Sequence, residues 1–205
     1  KGLKKLLPGR HLTWQNGEIT IERYWKPEFK PDETKTLDEW ADEIHETVKQ
    51  MMVEVKTDDE TAESFLSGGV DSSYVLAMSD AEMTNSCGYD DERFDESGLA
   101  KQTADILGCG NSRCLVTPED YFGIVPYVMY NMEQPLGDAS AIAFALGCRA
   151  TAQHTKLCYS GEGADEFFGG YNMYRNAAAY GENLKTFYVG NTNIMKEDEK
   201  RAILK

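Results

Sequence analysis

Long apolar runs are missing from this 205-residue sequence. None approaches the roughly 18 residues that a membrane-spanning helix needs, and no secretory apolar core follows the N-terminus. Basic residues are scarce as well. Twenty-one Lys and Arg stand against thirty-five Asp and Glu, a net charge of −14, which disfavours a dedicated nucleic-acid or membrane-surface binder because both need a basic footprint. Histidine is rarer still: only His11, His45 and His154 occur, none at ligand spacing from a cysteine, so no zinc site is expected. The five cysteines (Cys87, Cys109, Cys114, Cys148 and Cys158) are odd in number and form no C-x-x-C, which suits buried or idle thiols in a reducing cytoplasm. Neither a Walker A Gly-Lys-Ser/Thr nor a G-x-G-x-x-G is present. The first residue is Lys1 rather than Met, and the sequence reads as a piece of something longer.

What is present is enough for a core. Hydrophobic residues make up 41% and aromatic residues 11%, which suits one compact domain with a small appendage. Charge is uneven along the chain: residues 1–30 hold seven basic and three acidic side chains, a balance of +4, which leaves −18 on the remainder. Residues 9–25 read as two short strands around Asn16-Gly17, a dipeptide that favours the type I′ hairpin turn. Pro27 and Pro31 then interrupt regular structure. A domain comprising residues 1–35, the terminal hairpin of a preceding domain plus a linker, is therefore expected ahead of a second spanning 36–205. Thr36 and Glu39 have capping-box spacing for a helix to about residue 55, with Leu37, Trp40, Ile44, Val48, Met51 and Met52 on one stripe. His45 falls on that helix as an ordinary helix histidine.

Beyond it, strands and helices alternate. Strands are expected near 62–66, 84–89, 113–117 and 156–159, with helices near 71–79, 95–107, 119–132 and 140–154 and another starting near 164. Strands separated by helices of this length predict an α/β fold, a parallel sheet with helices on both faces.

Two turns carry the chemistry. Ser67-Gly68-Gly69-Val70-Asp71-Ser72-Ser73 joins the first of these strands to its helix. Its glycines let backbone N–H groups approach an anion, its serines add hydroxyl donors, and the helix dipole points the same way. Such a nest suits phosphate or pyrophosphate, and an Asp inside it implies a Mg²⁺ between carboxylate and phosphates. The plainer alternative is a glycine turn with Asp71 as helix N-cap. The run Tyr159-Ser160-Gly161-Glu162-Gly163-Ala164-Asp165-Glu166-Phe167-Phe168-Gly169-Gly170-Tyr171 again follows a strand. Loops at the carboxyl ends of parallel strands share one crevice, so Asp71, Glu162 and Asp165 are expected to meet there. The alternative is that the second pair of acids merely caps a helix.

These motifs carry a family resemblance. S-G-G-V-D-S is similar to the S-G-G-x-D-S loop of the PP-loop ATP-pyrophosphatases, and S-G-E-G-A-D-E-F-F-G-G-Y resembles the hallmark of the synthetase domain of glutamine-hydrolysing asparagine synthetases. The stretch from Glu133 through Asp138 to Ala141 resembles that family's D-E-P-F-x-D-P-S-A, and residues 7–25 resemble the closing hairpin of its glutaminase domain. The resemblance implies a PP-loop ATP-pyrophosphatase-like (adenine nucleotide alpha hydrolase-like) sheet. It places Leu66, Cys87, Ser160 and Gly161 at adenosine, and Ser67, Gly68, Gly69, Asp71 and Ser72 around pyrophosphate. It makes Asp71 and Asp165 ligands of Mg²⁺-pyrophosphate and sets Glu162 beside the reacting acyl group. The implied reaction adenylates the side-chain carboxylate of aspartate with ATP; ammonia, glutamine-derived in the full-length enzyme, then displaces AMP. A glutaminase domain would be the partner in the parent chain, and the resemblance also allows a homodimer.

Departures from the pattern qualify this. No N-terminal Cys nucleophile is present, so glutamine hydrolysis by this piece is not expected, and the later segment that supplies a catalytic lysine is not in the sequence. Asn111 stands where the family commonly has His, and Cys87 replaces an aliphatic residue. Three other readings compete: a relative that amidates or cyclises another carboxylate, a nucleotide-binding module without catalysis, and a PP-loop tRNA-modifying enzyme. The acidic charge balance and the lack of paired cysteines weigh against the last of these.

Overall fold

The computed structural model describes residues 4–56, 61–133, 137–172, 174–175 and 201–203. Asn16 and Gly17 both take positive φ, 51° and 85°, as a two-residue turn must if its twist is to match the strands it joins. They connect β1 (Arg10–Gln15) to β2 (Glu18–Arg23), antiparallel with Gln15 opposite Glu18. The expected capping box also forms: the Thr36 N–H donates to Glu39 Oε2 at 2.7 Å and the Glu39 N–H to Thr36 Oγ1 at 3.3 Å. It starts α1 (Leu37–Val55). The apolar stripe of α1 is only partly covered. Trp40, Ile44, Val48 and Met52, four residues apart, are half-buried, whereas Leu37 and Met51 are 83% and 55% exposed. The chain separates into two compact units, Lys1–Thr47 and Val48–Lys205.

The second unit holds the alternating pattern. Its elements are β3 (Glu63–Phe65), α2 (Val70–Met78), β4 (Met83–Tyr89), α3 (Ser97–Leu107), β5 (Gly110–Val116), α4 (Pro118–Asn131), α5 (Ser140–Thr151), β6 (Cys158–Tyr159) and α6 (Ala164–Phe168). All strand pairings in it are parallel, in the order β5-β4-β3-β6. The chain steps from β3 to β4 to β5 in one direction and then returns to the far side of β3. Helices cover both faces as expected. Leu76 of α2 and Ala100 and Ala104 of α3 pack with Leu66 and Tyr159 on one side. Ile124 and Val128 of α4 and Ile142, Ala143 and Leu146 of α5 pack with Val116 on the other. No helix among the described residues is long and apolar enough to cross a membrane.

Some boundaries differ from the sequence expectation, for local reasons. β5 starts at Gly110, not near 113, because the polar run Gly110-Asn111-Ser112 pairs with β4 through its backbone and side chains rather than by apolar alternation. Asn111 Nδ2 donates to Thr84 Oγ1 at 2.9 Å, Thr84 Oγ1 donates to Gly110 O at 2.9 Å, and Ser86 Oγ donates to Asn111 Oδ1 at 3.3 Å. Thr84 is fully buried, so these bonds satisfy groups that would otherwise be costly to desolvate. They also explain Asn111 as a member of the sheet. α3 begins at Ser97, two residues late, because Asp95 stays outside the helix and accepts the Ser97 N–H at 3.1 Å. α5 ends at Thr151, and β6 is limited to two residues.

Thr117 caps α4. Its Oγ1 accepts the Asp120 N–H at 3.2 Å ahead of Pro118 at the first helical position. Thr117→Ala is expected to lower stability by about 1 kcal/mol, the usual worth of such a cap. Urea denaturation followed by circular dichroism measures it, and an unchanged midpoint would remove the cap from the account of α4.

Candidate active site

The strand order reverses between β3 and its parallel neighbour β6, which creates the position where open parallel sheets bind ligands, outside the carboxyl ends of the two strands. The turn after β3 begins at Leu66, which is 2% exposed. Ser67 and Ser72 brace it: their hydroxyls lie 3.0 Å apart, the Ser67 N–H donates to Ser72 Oγ at 3.2 Å, and Ser72 Oγ donates to Gly69 O at 3.3 Å. Gly69 is the N-cap of α2 and makes no side-chain cap bond. Asp71 therefore lies in the first turn of the helix and is not its N-cap. The first N–H of α2 to find a helical acceptor is that of Ser73, on Gly69 O at 3.1 Å. The Ser67 and Gly69 N–H groups are engaged by the two serine hydroxyls, and the N–H groups at the start of α2, which precede its first helical bond, are in the arrangement that favours an anion.

Gly68 has φ +85°, and a Cβ there would lie 2.7 Å from Leu99 Cβ and 2.8 Å from Ala100 N. Glycine thus lets α3 press directly against the back of this turn. The turn after β6 meets its front. A Cβ on Gly161 would lie 2.8 Å from both the Asp71 carbonyl carbon and the Ser72 nitrogen. The backbones of the two turns are therefore in contact, and the acids they carry open into one space. That space is a cavity of about 400 Å³, within the range of small-molecule sites.

Leu66, Ser67, Asp71, Ser72 and Cys87 line it from β3, α2 and β4, and Ser160, Gly161, Glu162 and Asp165 line it from the second turn. Of the residues singled out in the sequence, Gly68 and Gly69 do not line it. Gln134, Pro135 and Leu136 of the third motif lie outside the described residues, whereas Ser140 of that motif reaches the cavity. Sequence reasoning missed Phe65, Tyr89, Phe94, Glu96 and Ser97 as well as Ala143 and Phe144. Phe94, Glu96 and Ser97 follow the carboxyl end of β4, and that position was the available signal.

The cavity lining combines two chemistries. Phe65 and Phe144, with ring centroids 5.0 Å apart, together with Leu66, Cys87 and Ala143, supply apolar surface. Asp71, Glu96, Glu162 and Asp165 supply acids, and no Lys, Arg or His stands among the described lining residues. The carboxylates of Asp71, Glu162 and Asp165 make no side-chain hydrogen bond or ion pair among the described residues. An anion such as a triphosphate can share this space only if a cation lies between it and the acids. Hard carboxylate and hydroxyl oxygens suit Mg²⁺. No three metal-ligating side chains cluster among the described residues, so an ion held by Asp71 and Asp165 would complete its shell with phosphate oxygens and water.

Cys87 is a hydrophobic wall residue. Its Sγ lies 3.5 Å from Ala143 O, and a Cβ on Gly147 would come within 2.8 Å of that sulfur. Burial, reinforced by the neighbouring Cys114 and Cys148, pushes its thiol up to about 11. Burial, with Glu63 nearby, pushes Cys158 up to about 12. Both thiols are expected to resist iodoacetamide in the native protein at pH 8 and to react once it is unfolded, because the thiolate is the nucleophile. Peptide mapping of the alkylated protein checks this. Raised values favour the protonated form in the fold, so this contribution to stability is whole below the ordinary thiol value of about 8.5. It declines as pH climbs toward 11 and 12.

The asparagine synthase family model matches residues 39–203. The chain belongs to the asparagine synthase family. It is 32% identical to the glutamine-hydrolysing asparagine synthetase 1 of Bacillus subtilis, across 99% of this chain and 38% of that protein. It is 29% identical to a putative asparagine synthetase of Mycobacterium tuberculosis, across 85% of this chain and 28% of that protein. It is also 29% identical to the amidase chry2 of Gibberella zeae, across 85% of this chain and 30% of that protein. The chain thus spans less than two-fifths of the length of these relatives. The parallel sheet, with helices on both faces and a preceding hairpin, fits the PP-loop asparagine synthase domain.

Proposed function

We propose that this chain binds MgATP and uses it to activate the side-chain carboxylate of aspartate for conversion to asparagine. The observation that carries the reading is the contact of Gly161 with the backbone of Asp71 and Ser72, which brings both glycine turns and their acids to one cavity at the sheet's switch point. Adenine would lie against Leu66 and Cys87 near Ser160 and Gly161, with the phosphates over the Ser67–Ser72 turn. Asp71 and Asp165 would hold Mg²⁺, which when bound supplies neutralisation of the charge on the departing pyrophosphate. The carboxylate attacks the α-phosphorus and pyrophosphate leaves, giving a β-aspartyl-AMP. Activation is needed because hydroxide is too poor a leaving group for ammonia to displace. Donors around Ser67 and Ser72 stabilise the leaving oxygens, and Glu162, on the open side of the cavity, takes a proton from the attacking ammonia.

Isothermal titration with MgATP tests the first half of this reading. The chain is expected to bind, and Asp71→Asn to weaken binding by at least roughly tenfold with an unchanged unfolding midpoint, because a carboxylate–metal–phosphate contact is lost from an exposed turn. Binding that is equal in the two proteins overturns the assignment of Asp71. Aspartate-dependent exchange of labelled pyrophosphate into ATP tests the second half. A second reading, activation of a carboxylate other than aspartate's, is favoured by the kinship with the amidase of Gibberella zeae. Exchange supported by another carboxylic acid and not by aspartate would select it.

A further inference from the structure

The cavity wall after β4 is held by a pair of charges outside the cavity. Arg113 on β5 lies across Gly88 on β4: a Cβ on Gly88 would come within 2.3 Å of Arg113 Nε and 2.9 Å of Asp95 Oδ1. From there the guanidinium donates to Asp95 Oδ2 at 2.8 Å and to Tyr89 O at 3.3 Å. Asp95 in turn accepts the Ser97 N–H at 3.1 Å and the Tyr89 N–H at 3.4 Å. The strand end, the loop and the first residue of α3 are thus tied to one guanidinium. Phe94, Glu96 and Ser97, on either side of Asp95, line the cavity, whereas neither charged residue does.

The geometry points to Arg113 and Asp95 as positioning residues that set the 90–97 wall of the nucleotide cavity. This rests on the reading of that cavity as an ATP site. Arg113 is 45% exposed and Asp95 21%, so the pair itself contributes little to global stability. Its effect is local. Losing it frees the loop to sample other placements, and a ligand must then select the one that fits. Arginine contributes geometry as well as charge, since Nη2 donates to both acceptors from a planar group of fixed shape, which a lysine ammonium on its flexible stem lacks.

The test is MgATP titration of the chain alongside hydrogen exchange of the peptide covering residues 89–97. Arg113→Gln is expected to weaken MgATP binding roughly tenfold, the size of coupling typical of contacting groups, and to speed exchange in that peptide with an unchanged unfolding midpoint. Arg113→Lys should restore part of the affinity. Gly88→Ala keeps the charge but pushes the guanidinium aside and should mimic Arg113→Gln. The double variant Arg113→Gln with Asp95→Asn should be no worse than the weaker-binding single variant. If the parent chain binds MgATP while Arg113→Gln binds equally well, the positioning role is overturned. Loss of affinity that tracks a fall in the unfolding midpoint would overturn it too. If the parent chain binds no MgATP, the reading of the cavity fails instead.

Discussion

Glu162→Gln should cut ammonium-dependent amide formation by roughly 10²–10⁴ while MgATP affinity stays within about a few-fold, the range for losing a positioned general base. The substitution keeps the shape and hydrogen-bonding reach of the side chain and removes only its basicity. Glu162 is exposed and lines the cavity, its carboxylate has no hydrogen-bond partner among the described residues, and its backbone N–H is tied to Ser160 Oγ at 3.2 Å. Nothing else in the fold depends on the carboxylate, so stability should not change. Proton removal belongs to the attack by ammonia, so aspartate-dependent pyrophosphate exchange should fall less than amide formation. Steady-state assays with ammonium as the nitrogen source, set beside exchange assays, separate the two steps. Normal turnover would demote Glu162 to a surface acid, and lost MgATP binding would make it a metal ligand.

Gly161→Ala should disable the site by a different route. The new methyl group would face backbone on its near side, with the Asp71 carbonyl carbon and the Ser72 nitrogen both at 2.8 Å, and no flexible side-chain end is available to yield. The two turns must part, at a cost of about 1–3 kcal/mol typical of overpacking. Asp71 and Asp165 then lose their common space. MgATP binding should fall by roughly 10² or more, since displacement of about 1 Å at a reacting geometry has effects of that order. Gly123→Ala is the control. It lies inside α4 with nothing within 4 Å of the added methyl group, and it should leave binding intact and raise stability by about 1 kcal/mol. Titration calorimetry and urea melts on both variants give the comparison, and equal binding by Gly161→Ala and the parent would refute contact between the turns as the organising feature.

Local chemistry was legible wherever one short stretch of chain decides the outcome. Asn16-Gly17 announces a turn that needs two positive φ values, and the turn forms. Thr36 and Glu39 announce a reciprocal cap, and it closes. Alternation of strands with helices of 9–14 residues in the second unit announces a parallel sheet covered on both faces. The two glycine turns were legible as partners because loops at the carboxyl ends of parallel strands converge. Elements whose cause lies across the sheet were less so. β5 hides in a polar run because Thr84 and Ser86 on the neighbouring strand satisfy Asn111. Leu37 and Met51 fit an apolar stripe in the sequence, yet both are exposed, since periodicity states which residues share a face and not whether anything covers it.

By itself the sequence determined the fold class, the two glycine turns and the identity of their acids, because hydrophobic period, turn chemistry and motif spacing are properties of neighbouring residues. Only the tertiary structure decided that Gly161 rests on the backbone of Asp71 and Ser72, that Gly68 turns toward α3 and away from the cavity, and that Arg113 reaches over Gly88 to Asp95. Those contacts join residues from 18 to about 90 positions apart, and strand order fixes them. The return of the chain to the far side of β3 sets the second turn against the first, and the parallel register of β4 and β5 carries Arg113 to the mouth of the loop. Spacing along the chain carries no record of either.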